Sequence, residues 1–321
     1  MLKYYGAAGI TAAIALSFIL STSNDTMAEP VSSAPDVEFS SVVNPRIPRS
    51  YSLCGDKVDL DRVDMYERFD RELTSMAYTH GTTLLMLKRA NKYFPVIAPI
   101  LKANGMPDDI IYLACVESSL NPRALSPAKA GGMWQFMPST GRQYGLEVGD
   151  EVDERYNIEK ATAAACRYLK KYKAQYGDWV SAMAAYNAGP TRISGELDSQ
   201  MGDTAFDLYL NEETSRYVFR IMATKAIFEN PKAFGFDLSE DQLYMPVECD
   251  VVEVSGPVPS WPQWAADHGI TYAQLRDENP WIRAKQLTNK AGKKYKVRVP
   301  KERSLKRSTQ QKKIYNTNWT D

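Results

Sequence analysis

Residues suited to metal chemistry are scarce in this sequence of 321 residues, which contains four cysteines and two histidines. It has no CxxC pair, no HExxH motif and no Cys/His cluster, the patterns by which zinc sites are usually recognised. The sequence therefore argues against a zinc enzyme, and it predicts neither a metal nor any other cofactor.

The composition is that of an ordinary globular protein, with 44% hydrophobic and 24% charged residues. It excludes a fully disordered chain, and the length suits one large or two modest domains. Basic and acidic residues both number 39. They are unevenly spread, because Arg283 to Lys313 holds 13 basic residues and one acid, Glu302. This basic segment lies either against a polyanion, such as an anionic envelope polymer, or free in solvent as a tail.

The N-terminus has the features of an export signal. Lys3 precedes an apolar run from Gly6 to Leu20, and Thr26-Met27-Ala28 offers small residues for a signal peptidase. The run of about 15 residues is shorter than the roughly 20 that a membrane span needs. We therefore predict a signal peptide over residues 1–28, with an uncleaved anchor as the alternative. Both place the remaining chain in the periplasm or cell envelope, away from nucleic acid.

An exported chain can form disulfides, and the four cysteines allow two arrangements. Cys115 and Cys166 fall on predicted helices, as free core thiols or as one buried pair. Cys54 and Cys249 bracket the middle domain and could tie its ends together. The sequence does not choose between these arrangements.

The middle of the chain is helical almost throughout, which predicts a mainly α fold with one all-helical domain over residues 51–240. A linker rich in Ser, Pro and Val precedes it over residues 29–50. Asp108 and Gly189-Pro190 mark a helix start and a helix end. The predicted helices are Tyr66–Met76, Thr83–Ala90, Phe94–Asn104, Asp108–Leu120, Ser139–Tyr144, Ile158–Tyr176, Trp179–Asn187 and Glu212–Glu229.

A smaller unit follows over residues 245–300, which we call the C-terminal module. Val251–Val254 and the alternating Tyr295–Val299 segment read as strands. Ser260 and Thr271 can cap two short helices between them, which gives a βααβ arrangement. The polar, basic segment 301–321 is predicted to be a disordered tail.

One carboxylate, Glu117, occupies an apolar helix face. It follows Ile110, Leu113 and Ala114 at the spacing of a single face, near the C-terminal end of the helix. Burial and the negative end of the helix dipole both raise the pKa of such a carboxyl, which could then act as a general acid. Alternatively, Glu117 lies at the exposed end of this face, before Asn121-Pro122 ends the helix.

The stretch after Glu117 lacks acids: residues 118–146 contain no Asp or Glu. They hold instead uncharged hydrogen-bonding side chains, Gly131-Gly132, and the aromatic residues Trp134 and Phe136. This mixture suits a neutral sugar, although an ordinary surface loop has a similar composition. Glycosidases normally use two carboxylates, and this neighbourhood supplies one. The second role would then fall to the substrate or to a distant residue.

The segment from Glu117 to Pro122 resembles the E-S-x-x-x-P signature of soluble-type lytic transglycosylases, which have a goose-lysozyme-like helical fold. Three further blocks match in the same order, and the Gly-x-Trp-Gln-Phe version is similar to the membrane-bound D branch. That branch often carries LysM modules, and Gly269 to Pro280 resembles part of one. The three blocks are Gly132–Thr140, Ala184–Pro190 and Glu213–Val218.

The resemblance implies that Glu117 is the single catalytic acid/base. It would protonate the glycosidic oxygen between N-acetylmuramic acid and N-acetylglucosamine, and then accept the proton of the muramic C6 hydroxyl. That hydroxyl attacks C1 of its own sugar, which gives a 1,6-anhydro product without water. An intramolecular nucleophile benefits from a high effective molarity, so no protein nucleophile is required.

The resemblance also implies a set of substrate-binding residues. Ser126, Gln135 and Met137 match positions that line the sugar cleft. Tyr186 matches a tyrosine that contacts the substrate or the catalytic carboxyl, with Asn187 beside it. Glu213 and Tyr217 match the last block, in which a second acid supports the site. Packing is an alternative role for Met137 and for Tyr186, which shares a helix face with Trp179, Ala182 and Met183. Glu213 is also favoured by the dipole in a first helical turn.

The C-terminal module departs from the LysM pattern, because Pro257 to Trp261 replaces the usual Asp-Thr/Ser-Leu. The module either binds glycan or only positions the catalytic domain. Taken together, the sequence predicts a peptidoglycan lytic transglycosylase that acts on glycan strands. The alternatives are a goose-type lysozyme that hydrolyses the same bond and a non-catalytic wall-binding protein.

Overall fold

The computed structural model describes residues 44–48 and 50–320. The predicted signal or anchor over residues 1–28, and most of the predicted linker, lie outside the described residues. Within the described part of the chain, no helix has the length and apolar character needed to cross a membrane.

The described chain is mainly α, as the sequence predicts. A hairpin of two short strands, β1 (Tyr51–Leu53) and β2 (Asp56–Val58), precedes the helices. The helices of the large domain are α1 (Val63–Tyr78), α2 (His80–Ala103), α3 (Ile111–Ser118), α4 (Pro138–Gln143), α5 (Ile158–Tyr176), α6 (Trp179–Ala188), α7 (Pro190–Gln200) and α8 (Glu212–Glu229).

The ends of the central helices follow from local chemistry. The side chains of Asn157, Asp178 and Asn211 accept hydrogen bonds from backbone amides in the first turns of α5, α6 and α8. Gly177 ends α5 in a left-handed conformation, with φ of 84°. These helices surround one apolar core, within which Ile221, Met222 and other residues of α8 are completely buried. α8 therefore forms a buried central element of the large domain.

The two helices predicted over Thr83–Ala90 and Phe94–Asn104 are one continuous helix, α2. Pro95 and Pro99 lie inside it. Proline interrupts the backbone hydrogen bonds of a helix, so two separate helices were the natural expectation. Both prolines are exposed, and a buried stripe that continues past them holds the helix together; it consists of Met86, Leu87, Ala90, Phe94, Ile97 and Leu101.

Two elements were absent from the sequence prediction. Pro190, which was interpreted as part of a helix end, occupies the first position of α7. Proline suits that position because its missing amide has no partner there in any case. The β1–β2 hairpin turns at Cys54 and Gly55, both at positive φ (54° and 90°). Strands of three residues are too short to produce a visible alternation.

The C-terminal module has the predicted βααβ order. Its elements are β3 (Cys249–Val254), α9 (Trp261–Asp267), α10 (Tyr272–Glu278) and β4 (Tyr295–Pro300), and β3 pairs antiparallel with β4. The hydroxyls of Ser260 and Thr271 cap α9 and α10 as expected. The core of the module also includes Val152 and Tyr156 from the large domain, so the two parts share a hydrophobic cluster.

The expectation of a disordered tail over 301–321 is wrong for residues 301–320, which fold back onto the large domain. Trp319 is only 1% exposed; its indole packs against Phe94 and Phe228 and donates a hydrogen bond to the Phe228 carbonyl. Asn91 bonds to the backbone of Lys313 and Tyr315. The polar, basic composition of the segment favoured a prediction of disorder, although these contacts hold the segment in place.

The four cysteines are free thiols. Cys115 and Cys166 are buried in the core as free thiols, and neither of the two pairings that the sequence left open is present.

Ion pairs within the chain neutralise much of the basic segment. Arg303 and Lys313 both pair with Glu248, and Arg298 pairs with Glu159. The other basic residues in ion pairs are Lys293, Lys294, Lys301, Lys306 and Lys312.

Candidate active site

The centre of the candidate site is Glu117, in the last turn of α3. Ile110, Leu113 and Ala114 on the same face are fully buried. Glu117 itself is half-buried, at the point where this apolar face ends. α3 begins after a 3₁₀ turn at Asp108–Ile110 and ends at Ser118, two residues before the predicted end.

Tyr217 on α8 donates a hydrogen bond from its hydroxyl to Oε1 of Glu117. The pKa of Glu117 is raised to about 7: burial is the largest cause, the hydrogen bond from Tyr217 lowers the pKa, and the negative charge of Glu213 raises it. Burial also raises the pKa of Tyr217 well above its ordinary value, so the phenol remains a neutral donor. Near neutral pH, Glu117 can therefore either donate or accept a proton.

α3 ends in an unusual backbone conformation. Ser119 and Leu120 both have positive φ, 51° and 56°, although neither is glycine. Each such residue costs about 1 kcal/mol or more. Arg89 donates a hydrogen bond to the Ser119 carbonyl at 3.0 Å, and the Leu120 side chain is completely buried. These contacts hold the turn that carries the chain away from Glu117.

The chain next forms a loop over residues 124–137, which we call the 124–137 loop. Three side chains donate hydrogen bonds to its backbone carbonyls. Ser118, next to Glu117, donates to the Met133 carbonyl at 2.9 Å. Tyr186 on α6 donates to the Trp134 carbonyl at 2.7 Å. Gln135 folds back onto its own loop and donates to the Gly132 carbonyl at 2.8 Å. The loop is therefore attached both to the helix of Glu117 and to α6.

Asp153 and Arg155, which no motif in the sequence singles out, lie behind this loop. Arg155 is buried, pairs with Asp153 at 2.7 Å, and donates to the carbonyls of Lys129 and Phe136 at 2.7 and 3.0 Å. A Cβ atom on Gly132 (φ 79°) would lie 1.8 Å from the Arg155 carbonyl oxygen. The Gly131-Gly132 pair signals such a close approach, but nothing in the sequence identifies its partner.

The other predicted site residues are more dispersed. Ser126 closes a tight turn by accepting a hydrogen bond from the Ala130 amide, and Met137 is exposed. Asn187 is half-buried near the end of α6, beside Tyr186. Glu213 is exposed in the first turn of α8 and acts on Glu117 through its charge. Among the described residues, no hydrogen bond joins Ser126, Met137 or Asn187 to Glu117.

Chemistry, rather than cavity size, locates this site. Clefts of about 530 and 750 Å³ lie beside α2, the first against the C-terminal module, and neither is lined by Glu117 or Tyr217. Lys92 lines both clefts and forms an ion pair with Glu278. The described residues include no group of three or more His, Cys, Asp and Glu side chains that could hold a metal ion. The Glu117 site is thus one titratable carboxyl with a tyrosine partner, on which the charge of the exposed Glu213 also acts.

Comparison with known proteins agrees with the resemblance noted in the sequence. The family model "Transglycosylase SLT domain" matches residues 94–207, and "Soluble lytic transglycosylase C-terminal LysM-like domain" matches residues 250–303. Membrane-bound lytic murein transglycosylase D of Escherichia coli K12 is 32% identical over 241 residues, which cover 74% of this chain and 51% of that protein.

Two further relatives match over shorter stretches. Membrane-bound lytic murein transglycosylase C of Haemophilus ducreyi is 31% identical over 150 residues, 42% of this chain and 40% of that protein. The crystal structure of the 70 kDa soluble lytic transglycosylase of E. coli gives a TM-score of 0.39 at 21% identity, over 50% of this chain and 30% of that one.

The chain spans about half the length of the transglycosylase D that it matches. Within that span the matched domains follow each other in the order that the sequence predicts, and the resemblance is confirmed. The protein contains a transglycosylase SLT domain followed by a soluble lytic transglycosylase LysM-like domain, and it is a homologue of membrane-bound lytic murein transglycosylase D.

Proposed function

We propose that the protein is a peptidoglycan lytic transglycosylase that cleaves the β-1,4 bond between N-acetylmuramic acid and N-acetylglucosamine. The observation that carries this proposal is the half-buried Glu117 carboxyl, bonded to Tyr217 and with a pKa of about 7. The SLT-domain match and the homology to transglycosylase D support the same activity.

In the first step, protonated Glu117 donates its proton to the glycosidic oxygen. The bond from this oxygen to C1 of the muramic sugar breaks, and the N-acetylglucosamine leaves with a hydroxyl. An acid whose pKa is close to the ambient pH suits this step, because much of it is protonated and it still transfers the proton readily. The carboxylate that remains keeps the hydrogen bond from Tyr217.

In the second step, the C6 hydroxyl of the same muramic sugar attacks C1, and the Glu117 carboxylate takes its proton. The product is a 1,6-anhydro sugar, and Glu117 regains its starting form. The nucleophile belongs to the substrate, which explains how a site with one buried acid suffices. Glu213, although acidic, is exposed and is therefore assigned electrostatic support rather than nucleophilic attack.

The remaining predicted residues are proposed to bind the glycan. Ser126, Gln135 and Met137 belong to the 124–137 loop and would line one side of the sugar cleft. Tyr186 and Asn187 would line the other side from the end of α6. Exposed Met137 suits contact with a sugar face, whereas the hydroxyl of Tyr186 is already bonded to the loop.

We further propose that the chain is exported by its N-terminal segment and works in the periplasm or at the cell envelope, where peptidoglycan lies. The proposed partner is the glycan strand. The basic segment is not assigned an anionic partner, because ion pairs such as Arg303–Glu248 and Lys312–Asp241 neutralise much of it within the chain.

Digestion of purified sacculi tests the proposal. The protein is expected to release 1,6-anhydro-muropeptides, and Glu117→Gln is expected to lose this activity while it still folds. Glu67→Gln on the exposed surface of α1 is a matched control that should retain it. Release of reducing-end muramic acid would indicate a hydrolase instead, and binding to sacculi without any turnover would indicate a wall-binding protein.

A further inference from the structure

The C-terminal module is joined to the large domain by a short segment that also reaches the active-site loop. The backbone of Val152 forms a β-bridge with Ile282 of the module. On either side, the Asp153 amide donates to the Trp281 carbonyl and the Arg283 amide donates to the Glu151 carbonyl, both at 2.9 Å. Residues 151–153 therefore pair antiparallel with residues 281–283, in the connection between α10 and β4 of the module.

Side chains strengthen the same junction. The guanidinium of Arg283 lies 4.1 Å from the ring centre of Tyr156, a cation–π distance. Thr288 donates to the Glu151 carboxylate from its amide and from its hydroxyl, both at 2.9 Å. Tyr156 is also buried in the module's core cluster. The 151–156 segment is thus held from the module side.

The opposite side of this segment supports the 124–137 loop. Arg155 donates to the carbonyls of Lys129 and Phe136, which lie on two separate parts of the loop. The backbone carbonyl of Arg155 lies against Gly132, and the aliphatic part of the Arg155 side chain lies against Gly141. Asp153 binds the guanidinium through both carboxylate oxygens and fixes its orientation. Asp153 holds the planar guanidinium by its Nε and Nη2 edge, and the remaining nitrogen, Nη1, bridges the two carbonyls and sets the distance between these parts of the loop.

From these contacts we propose that Arg155 is a positioning residue for the reaction and that the C-terminal module acts on the catalytic centre through it. The path runs from Ile282 and Arg283 through residues 151–153 to Arg155, and from there into the loop. The loop in turn receives hydrogen bonds from Ser118, adjacent to Glu117, and from Tyr186.

The effect that this inference predicts on kcat rests on the proposed function. The effect that it predicts on the 124–137 loop does not. If the module only captured glycan, substitutions in it would change the KM for long strands alone. If it positions the 124–137 loop, they lower kcat even for fragments too short to reach the module. A misplacement of about 1 Å in an active site can cost about 100-fold in rate.

The test compares Arg155→Lys and Arg283→Ala in the full chain with two matched controls. Arg155→Lys keeps the positive charge opposite Asp153, so the fold should survive, but it loses the planar guanidinium that holds Nη1 between the two loop carbonyls. Arg283 is exposed, and its removal weakens the junction at a distance from the loop. The controls are Arg142→Lys, whose guanidinium binds the Val148 carbonyl instead, and Lys285→Ala on the module surface.

Hydrogen exchange measured by mass spectrometry reports on the loop without requiring turnover. Both test variants should speed exchange of peptides that cover residues 124–137, whereas both controls should match the wild type. With a short soluble muropeptide, kcat should fall about 10- to 100-fold for Arg155→Lys, with KM nearly unchanged.

Each other outcome contradicts a defined part of the inference. Unchanged loop exchange, or unchanged kcat with faster exchange, overturns the positioning role of Arg155. An effect of Arg155→Lys without any effect of Arg283→Ala overturns the role of the module. If the wild type releases no anhydro product, the proposed function fails, while loop exchange still decides the coupling.

Discussion

The hydroxyl of Tyr217 donates a hydrogen bond to Oε1 of Glu117, from a position 100 residues later in the sequence. This contact joins α8 to the last turn of α3. It also opposes the effect of burial, since the hydrogen bond favours the charged form of Glu117 and burial disfavours it. The balance leaves a carboxyl with a pKa of about 7, suited to both donating and accepting a proton.

The pH dependence of Tyr217→Phe tests this balance. Loss of the hydrogen bond should raise the pKa of Glu117, because its charged form loses a donor while burial and the Glu213 charge remain. Activity that requires protonated Glu117 falls as the pH rises through this pKa. The alkaline limb of kcat/KM should therefore move upward by about one pH unit, the size of one net hydrogen bond.

Tyr176→Phe is the matched control, because its hydroxyl binds the Pro190 carbonyl, away from Glu117. It should leave the limb unchanged. A limb that moves downward in Tyr217→Phe would contradict the assigned role of the tyrosine.

Stability should also depend on pH through Glu117. Its pKa is raised from 4.5 in the unfolded chain to about 7 in the fold. Between these values the unfolded state releases the proton and the folded state retains it, so the free energy of unfolding falls as the pH rises. The Glu117→Gln variant has no titrating carboxyl at this position, so its free energy of unfolding does not fall in this way. It should be more stable than the wild type by about 1–3 kcal/mol at pH 8 and equal to it below pH of about 4.5.

Urea unfolding at both pH values measures this difference, with Glu67→Gln as the baseline for the substitution itself. A gain that is the same at low and high pH would contradict a half-buried Glu117 with a raised pKa.

Gly132 should not tolerate a side chain. An added Cβ would lie 1.8 Å from the backbone oxygen of Arg155, at a φ of 79°. Gly132→Ala should lower the free energy of unfolding by about 2–4 kcal/mol, from a left-handed residue plus a steric clash. Gly149→Ala is the control, because its Cβ would meet only an ordinary contact, 3.5 Å from the Val152 oxygen. Equal urea midpoints for the two variants would contradict the close approach.

The C-terminal segment should contribute to stability. Trp319 is 1% exposed against Phe94 and Phe228, so Trp319→Ala should cost about 3–5 kcal/mol in unfolding free energy. Tyr209→Ala is a control, because Tyr209 is 91% exposed. A disordered tail would instead make both substitutions neutral in urea unfolding.

The sequence predicted most of the helices because apolar periodicity and caps are local signals. It also predicted the position of Glu117 on the apolar face formed by Ile110, Leu113 and Ala114. It did not predict α2 as one helix, because the proline rule is local, whereas the buried stripe that continues past the exposed Pro95 and Pro99 stabilises the helix through tertiary packing.

The parts of the site and of the C-terminal segment that the sequence did not predict are long-range contacts. Arg155 reaches the Lys129 carbonyl from 26 residues away, and Asn91 binds Lys313 from 222 residues away. Neither residue belongs to a motif, and backbone carbonyl acceptors carry no sequence signal. Doubled glycine at 131–132 and the aromatic residues at 315 and 319 were the only local signs of these contacts.

The most direct test of the central claim is digestion of purified peptidoglycan in ¹⁸O-labelled water, followed by mass spectrometry of the products. If Glu117 transfers the proton while the muramic C6 hydroxyl attacks C1, the products carry no label. They are also lighter than hydrolytic muropeptides by the mass of one water, and they disappear with Glu117→Gln. Label at C1 of a reducing muramic acid, or unchanged turnover in Glu117→Gln, would contradict the account.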